Sequence, residues 1–421
     1  MKIKYIILAV LTVLSIAAID QFHVIFQPIE VIPIDHTIVQ PDYDYLVDHR
    51  ALQMNETYDL KIDELYNTFG FHDIEYAYDK TIVTINKYGE VIPLQPGITN
   101  LSITLLTINK YGRTLKKDIN YGTIHVIDSN YDNYTLIDSA FKFWDYISLN
   151  PSGNYIIGSD LDFSSKKGEF LISYFSGVLI NPYGYELTNI HLSGPSEVSI
   201  FKYLDHAYIN GLIIKDSSTT IINNPLDQRS PRGAAIVAYH ANNSYLTNIH
   251  VEGTVNGSSN LAGIISIFYY SRLESASFVG EFITNANHLN TVGGLVAYAT
   301  NSDFENVYSR SVVTGNVFKL GGLFGEFVQS DIQKGYAVVE TDASLIEHFG
   351  SFAAANTTLF TNNQIQYVYT IGNVGLSGFG VAGSHILSDI ESLKTGEPLE
   401  GLEAFDFVEG VFPELHNHFN N

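Results

Sequence analysis

The chain contains no cysteine among its 421 residues. That excludes disulfide staples, a thiolate zinc site, a thiol nucleophile and a lipid-modified cysteine anchor. Basic residues are scarce: 22 Lys plus Arg stand against 45 Asp plus Glu, for a formal net charge of −23. So acidic a chain is a poor partner for nucleic acid, since phosphate neutralisation needs clustered Lys and Arg. It is equally ill suited to anionic membrane surfaces. Beyond the N-terminus no stretch approaches the roughly 20 apolar residues of a membrane-spanning helix. Sustained i, i+3, i+4, i+7 periodicity is also missing, which excludes helical repeats.

What is present is Tyr (28), Phe (25) and Gly (33), arranged around a returning phrase. Its first half is a small residue followed by apolar ones: Ala235-Ile236-Val237-Ala238, Gly263-Ile264-Ile265-Ser266, Gly294-Leu295-Val296-Ala297 and Gly322-Leu323-Phe324-Gly325. Its second half spaces apolar or small residues as x, x+3, x+5: Leu246/Ile249/Val251, Leu273/Ala276/Phe278, Phe304/Val307/Ser309 and Ile332/Gly335/Ala337. Degraded copies begin at Leu187, Ile209 and Ile365. Self-similarity at this period signals a stacked array. Short β-branched and aromatic runs, separated by Gly, Asn and Ser, predict two or three strands per copy. The expected fold class is therefore all-β: a right-handed parallel β-helix over residues 151–388, preceded by a small Ig-like sandwich. Such a stack cannot hide its own end faces, so short caps are expected at 134–150 and 389–421. For the first cap the sequence predicts a helix with Asp138 or Ser139 at its start and Ala140, Phe141, Trp144 and Ile147 on one face.

Residues 1–19 read as a bacterial secretory signal, with Lys2 and Lys4 before an apolar run and a cleavage site at Ser15-Ile16-Ala17. The alternative is an uncleaved anchor. Residues 20–47 read as a Pro-punctuated linker. Residues 48–128 alternate in about seven short strands, among them Tyr58 to Ile62, which fits a sandwich. Within them, "DIEYAYDKTIVTINKYGEVIPLQPGITNLSITLL" resembles the second half of group 2 bacterial Ig-like domains. Gly89, Val91, Gly97, Leu101 and Ile103 sit at that pattern's positions, and Tyr76 replaces its usual Trp. The resemblance implies a stalk or spacer on a secreted or surface protein.

From about 134 to 418 the chain resembles GLUG-motif β-helices, in particular the N-terminal region of immunoglobulin-A-cleaving zinc metalloproteases. "GGLVAY", "GGLFGEF" and the tail with Phe405, Phe407 and Pro413-Glu-Leu415 carry this likeness. The proteases hold zinc on a His-Glu-x-x-His helix in a separate downstream domain. No such motif occurs here, and the chain is expected to end with the β-helix module, so the resemblance implies the fold without the peptidase activity. No cofactor is expected.

Several constellations qualify for chemistry. Asp160 and Asp162 place two carboxylates on one strand face, enough for a glycosidase pair or Ca²⁺, although an outward polar pair is the simpler account. Gly378, Gly380 and Gly383 match a nucleotide-binding phrase without the strand and helix it requires. His416 and His418 form a terminal pair short of a metal site. The insertion 216–232 holds Asp227, Arg229 and Arg232, and insertions in solenoids loop out and often bind. Tyr239, Tyr269, Tyr270, Tyr298 and Tyr308 are expected to face outward as a surface for sugar rings. Together these features predict a non-enzymatic secreted or surface protein that binds a host glycan or extracellular protein. The competing readings are a β-helical polysaccharide lyase or hydrolase, which is fold analogy alone, and a passive stalk.

Overall fold

The computed structural model describes residues 49–69, 71–108, 114–222, 233–285, 290–341, 346–355, 364–371, 384–387 and 390–416. The expected signal, the linker, the Asp227/Arg229/Arg232 tip of the insertion, the 378–383 glycines and His418 lie outside them.

Residues 49–126 form two small sheets. One is four-stranded, built on the antiparallel pair Gly97–Ile108 and Thr114–Val126, and the other is three-stranded. Leu101, Ile103, Leu105, Val83 and Val91 are buried. This is the Ig-like sandwich, with one departure. The expected strand from Tyr58 stops at Asp59. The Asp59 carboxylate accepts the Lys61 N–H at 2.8 Å, Lys61 turns left-handed (φ 55°), and a helix runs Ile62–Phe69. A short acidic side chain that folds back on its own backbone breaks a strand in just this manner.

The sandwich does not hang on a free linker. Ala51 and Ile127 share a buried apolar cluster with Leu136, Ile156 and Ile180 of the first solenoid coils. Helix Ala140–Leu149 follows, with Ser139 at its N-cap accepting the Lys142 N–H at 3.3 Å. Its buried face is Ala140, Phe143 and Ile147. Phe143 meets Phe163 at 5.4 Å and Phe201 at 6.0 Å. Phe141 and Trp144, expected in the core, are about two-fifths exposed, with the Lys166 ammonium 4.2 Å from the Trp144 ring. The apolar stripe offered two choices, and packing took the one continuous with Phe163.

From 154 onward the chain winds through parallel strands on three sheets. One coil shows the plan: a long strand Tyr245–Gly257 (sheet I), a short strand Asn260–Ala262 (sheet II), then Ile265–Tyr269 (sheet III). Register stacks Leu179, Ile209, Leu246, Leu273, Phe304, Ile332 and Ile365 in one column. The apolar-x-x-apolar spacing now has a physical cause. The residue before the second apolar position is left-handed in each coil: Asn248 (φ 54°), Ser275 (50°), Asn306 (52°), Lys334 (64°) and Tyr367 (53°). That kink lets residues three apart both point inward, where a flat strand would send them to opposite faces.

Two copies of the phrase are corrected. Leu187 pairs with Ile214, not Ile209, so it continues a coil that begins at Leu179. Ala235 pairs with Ala262, which pairs in turn with Gly293, so Ile236, not Ala235, stands in the column of Gly263, Gly294 and Gly322. Those glycines turn the corner between sheets II and III. A Cβ on Gly294 would collide with the Gly322 carbonyl oxygen, and one on Gly322 with that of Ser351.

The corner between sheets III and I carries a ladder of buried serines. Ser244, Ser271, Ser302 and Ser330 stack coil upon coil. The Ser244 N–H donates to Ser271 Oγ at 3.0 Å, Ser271 N–H to Ser302 Oγ at 3.2 Å, and Ser302 N–H to Ser330 Oγ at 3.1 Å. Each hydroxyl donates to the carbonyl two residues earlier in its own coil, at 2.6–2.9 Å. A left-handed residue precedes each one: Asn243, Tyr270, Asn301 and Gln329.

Among the described residues, the C-terminal segment packs against the side of the solenoid. Leu393, Leu402, Phe405 and Leu415 pack on Tyr308, Tyr336 and Tyr369, which form the outward column of sheet I. Tyr336 Oη donates to the Pro413 carbonyl and Tyr369 Oη to that of Glu400. The segment therefore covers a side wall.

Ser271→Ala should lower unfolding stability by about 1–3 kcal/mol, because the buried Ser244 N–H loses its acceptor. Gly294→Ala should cost more, about 3 kcal/mol or above, through backbone displacement at the corner. Urea titration followed by circular dichroism reads both.

Candidate ligand-binding surfaces

Among the described residues, the C-terminal segment covers the later coils of sheet I, and a groove lies beside it on the sheet's outer face. Its floor is the column Ile213, His250, Ser277 with Glu252 and Val279 beside it. Tyr183, Gly184 and Glu186 wall one end; Tyr308, Arg310, Glu414 and Leu415 wall the other. The cavity measures about 330 Å³. Strand spacing of about 4.8 Å per coil sets the distance between the walls.

Both ends carry ion pairs. Lys215 Nζ lies 2.5 Å from Glu186, which raises the lysine pKa through that hydrogen bond. Arg310 reaches Glu414 at 2.8 Å and lies between the Tyr308 and Phe412 rings, 5.4 and 5.3 Å from their centres. Arg310 Nε is buried without a partner. On the floor, His250 Nδ1 and Ser277 Oγ are 2.9 Å apart. Burial raises the pKa of Tyr308, and Ser277 and Arg310 act against it. Tyr308 stacks flat on Tyr336 at 4.9 Å.

The N-terminal wall is anchored to the sandwich. Tyr183 Oη accepts the Asp128 N–H at 3.1 Å, its ring stands edge-on to His125 at 4.3 Å, and Tyr185 Oη bonds His125 Nδ1. The groove is thus closed at one end by residues the Ig-like domain positions and at the other by the C-terminal segment.

The predicted tyrosines separate. Tyr270 is 63 % exposed, and Tyr269 and Tyr298 are half-buried on the outer face of sheet III. Tyr239 and Tyr308 are covered and not open to solvent: they are 4 % and 5 % exposed. Tyr308 is covered by the chain around 405–415, more than ninety residues away, and no local pattern announces that. Burial pushes the Tyr239 hydroxyl up to about 12. The sequence reading missed Tyr174, Tyr203 and His240, whose strands align with those of Tyr269 and Tyr298. For Tyr203 and His240 the signal was an aromatic residue two positions before the end of the strand, as at Tyr298.

The other constellations are structural. Asp160 accepts the Glu186 N–H, and Asp162 accepts Ser164 and Asn189. The Ser164 backbone N–H chiefly holds the Asp162 carboxyl below its usual range. His416 Nε2 meets the Glu403 carbonyl and Nδ1 meets Asp406. Among the described residues no cluster of His, Asp or Glu could hold a metal ion, and no helix is long and apolar enough to cross a membrane.

No family model matches the chain. Zinc metalloprotease ZmpC of Streptococcus pneumoniae serotype 4 is 29% identical over 159 residues, covering 36% of this chain and 8% of that protein. An immunoglobulin A1 protease of Streptococcus pneumoniae is 24% identical over 258 residues, covering 58% and 13%. The chain is similar to non-catalytic stretches of pneumococcal metalloproteases. It spans about a tenth of those relatives' length. A solved IgA1 protease covers 74% of this chain and is covered over 29% of its own, with a TM-score of 0.43 and 14% identity.

Burial lowers the His240 pKa, with Asp205 acting in the opposite direction. The unfolded chain therefore takes this proton first. His240's contribution to native stability is full above the ordinary imidazole range and falls as pH drops through it. An NMR titration of His240 should show an inflection below that range; one within or above it contradicts the burial account.

Proposed function

We propose that the chain is a non-catalytic recognition module of a secreted or surface-displayed bacterial protein. Its solenoid holds an extracellular host ligand in the sheet I groove. The observation that carries this reading is the groove itself: a half-open, mixed polar and aromatic site walled at one end by residues that contact the sandwich and at the other by the C-terminal segment. Convergent polar groups in a preformed concavity are what selective binding needs. Preorganised ion pairs at both ends spare a ligand the entropy of ordering them. The named activity of the relatives points to a host immunoglobulin or a comparable mucosal glycoprotein as the ligand class. Their extracellular setting supports secretion or surface display.

The test is retention of human IgA1 and mucosal glycoproteins on the immobilised chain. Saturable binding is expected, weakened about tenfold or more by Lys215→Ala combined with Glu252→Ala. Both side chains are on the surface, so folding should survive, and circular dichroism verifies it. Binding that ignores this double substitution, or no binding at all, would contradict the proposal.

A further inference from the structure

A second surface stands apart from the groove and does not depend on the reading given to it. On sheet III, register stacks Tyr174, Tyr203, His240, Ile267 and Tyr298 on five successive coils. Tyr174 and Tyr203 form the open end, 41 % and 37 % exposed. The Tyr203 and His240 rings lie 5.9 Å apart, and His240 meets Tyr269 edge-on at 5.4 Å. The Tyr203 and His240 rings are tilted 64° to one another, and His240 Nε2 is buried without a hydrogen bond, so the column is a ridged, weakly polar aromatic strip.

A polar column runs alongside, two residues further along each strand: Asp205, Asn242, Tyr269 and Thr300. Tyr174 Oη donates to Asp205 at 3.2 Å, and Asn242 Nδ2 donates to the same carboxylate at 3.1 Å. These bonds cross between coils and fix the strip. The corner beside it is strained. Tyr270 is left-handed (φ 48°) and 63 % exposed, a costly conformation for a bulky residue that gains little packing there.

Two features define what fits. The first is the repeat: over the coils of Tyr174, Tyr203 and His240 the column offers one ring per coil, at roughly 4.8 Å, with Asp205 and Asn242 beside it. A pyranose exposes an apolar C–H face that can lie against an aromatic side chain and sends its hydroxyls sideways toward polar groups. The second is charge. Asp205 lies on this face beside His206, and Glu326 is paired with Lys319 at 2.6 Å, so it is the net charge of −23 over the whole chain that disfavours acidic sugars. We propose that this column binds an uncharged linear oligosaccharide laid along the solenoid axis. Successive sugar rings would sit over Tyr174, Tyr203 and His240, with hydroxyls facing Asp205 and Asn242.

The experiment is calorimetric titration of the full chain with β-linked glucose and N-acetylglucosamine oligomers of increasing length, and with hyaluronan as the acidic comparison. Affinity should rise with each added ring up to about three, the unbroken run Tyr174, Tyr203 and His240, and then level off. Tyr203→Ala should weaken the longer oligomers about tenfold, the worth of one stacked ring, while Tyr203→Phe retains binding. Tyr88→Ala, an exposed aromatic on the sandwich, should change nothing. The proposal is overturned if no oligomer binds, if affinity is independent of length, if hyaluronan binds better than the neutral chains, or if Tyr88→Ala has the same effect as Tyr203→Ala.

Discussion

The architecture depends on how each coil is bonded to the next at its corners. Strands stack well in any solenoid, because parallel ladders satisfy their own N–H and C=O groups. Corners do not: the backbone turns there, and its polar groups leave the ladder. This chain solves that problem twice. At the corner between sheets III and I, the serine ladder replaces the missing backbone acceptors with hydroxyls buried in the stack. At the corner between sheets II and III, glycine removes the one atom that would hold successive coils apart. A hydroxyl in one place and a bare backbone in the other keep neighbouring coils in register along their whole length.

That register has functional consequences. With the coils locked, outward residues of equal position stand in straight columns, and a column is a linear array of identical spacing. Sheet I turns its array into a groove because later chain covers part of it. Sheet III leaves its array open. Both arrays are rigid for the same reason, and rigid arrays bind without paying to order themselves. The buried cluster of Ala51, Ile127, Leu136, Ile156 and Ile180 extends that rigidity into the sandwich. The Ig-like unit is thus part of the platform, and its His125 helps set Tyr183 and Tyr185 at the groove.

Much of the fold was legible in the sequence. The spacing of Leu246, Ile249 and Val251, returning at Leu273 and Phe304, identifies the coils, and the strand-rich stretch before them identifies the sandwich. Errors arose where composition imitated position. Leu187-x-x-Ile190-x-Leu192 copies the phrase but occupies the neighbouring column, because apolar spacing alone cannot say where a coil starts. The run of alanines at 234–235 imitated the Gly corner one residue early. The surfaces were less legible. An outward tyrosine and a covered one look alike in a strand, and what separates Tyr298 from Tyr308 is a tail far along the chain. The serine ladder was visible as a Ser two residues before Leu246, Leu273, Phe304 and Ile332, yet a lone polar residue at a turn carries no weight until its partners stack on it.

The most direct test of this account is native-state hydrogen exchange at the Ser244, Ser271 and Ser302 amides. If the hydroxyl ladder locks the coils, these three corner amides should exchange slowly and together, with protection equal to that of Ile249 and Val251 in the adjoining strand. Fast, independent exchange at the three serines beside protected strand amides would show that the corners are loose and that the columns are not held in register by them.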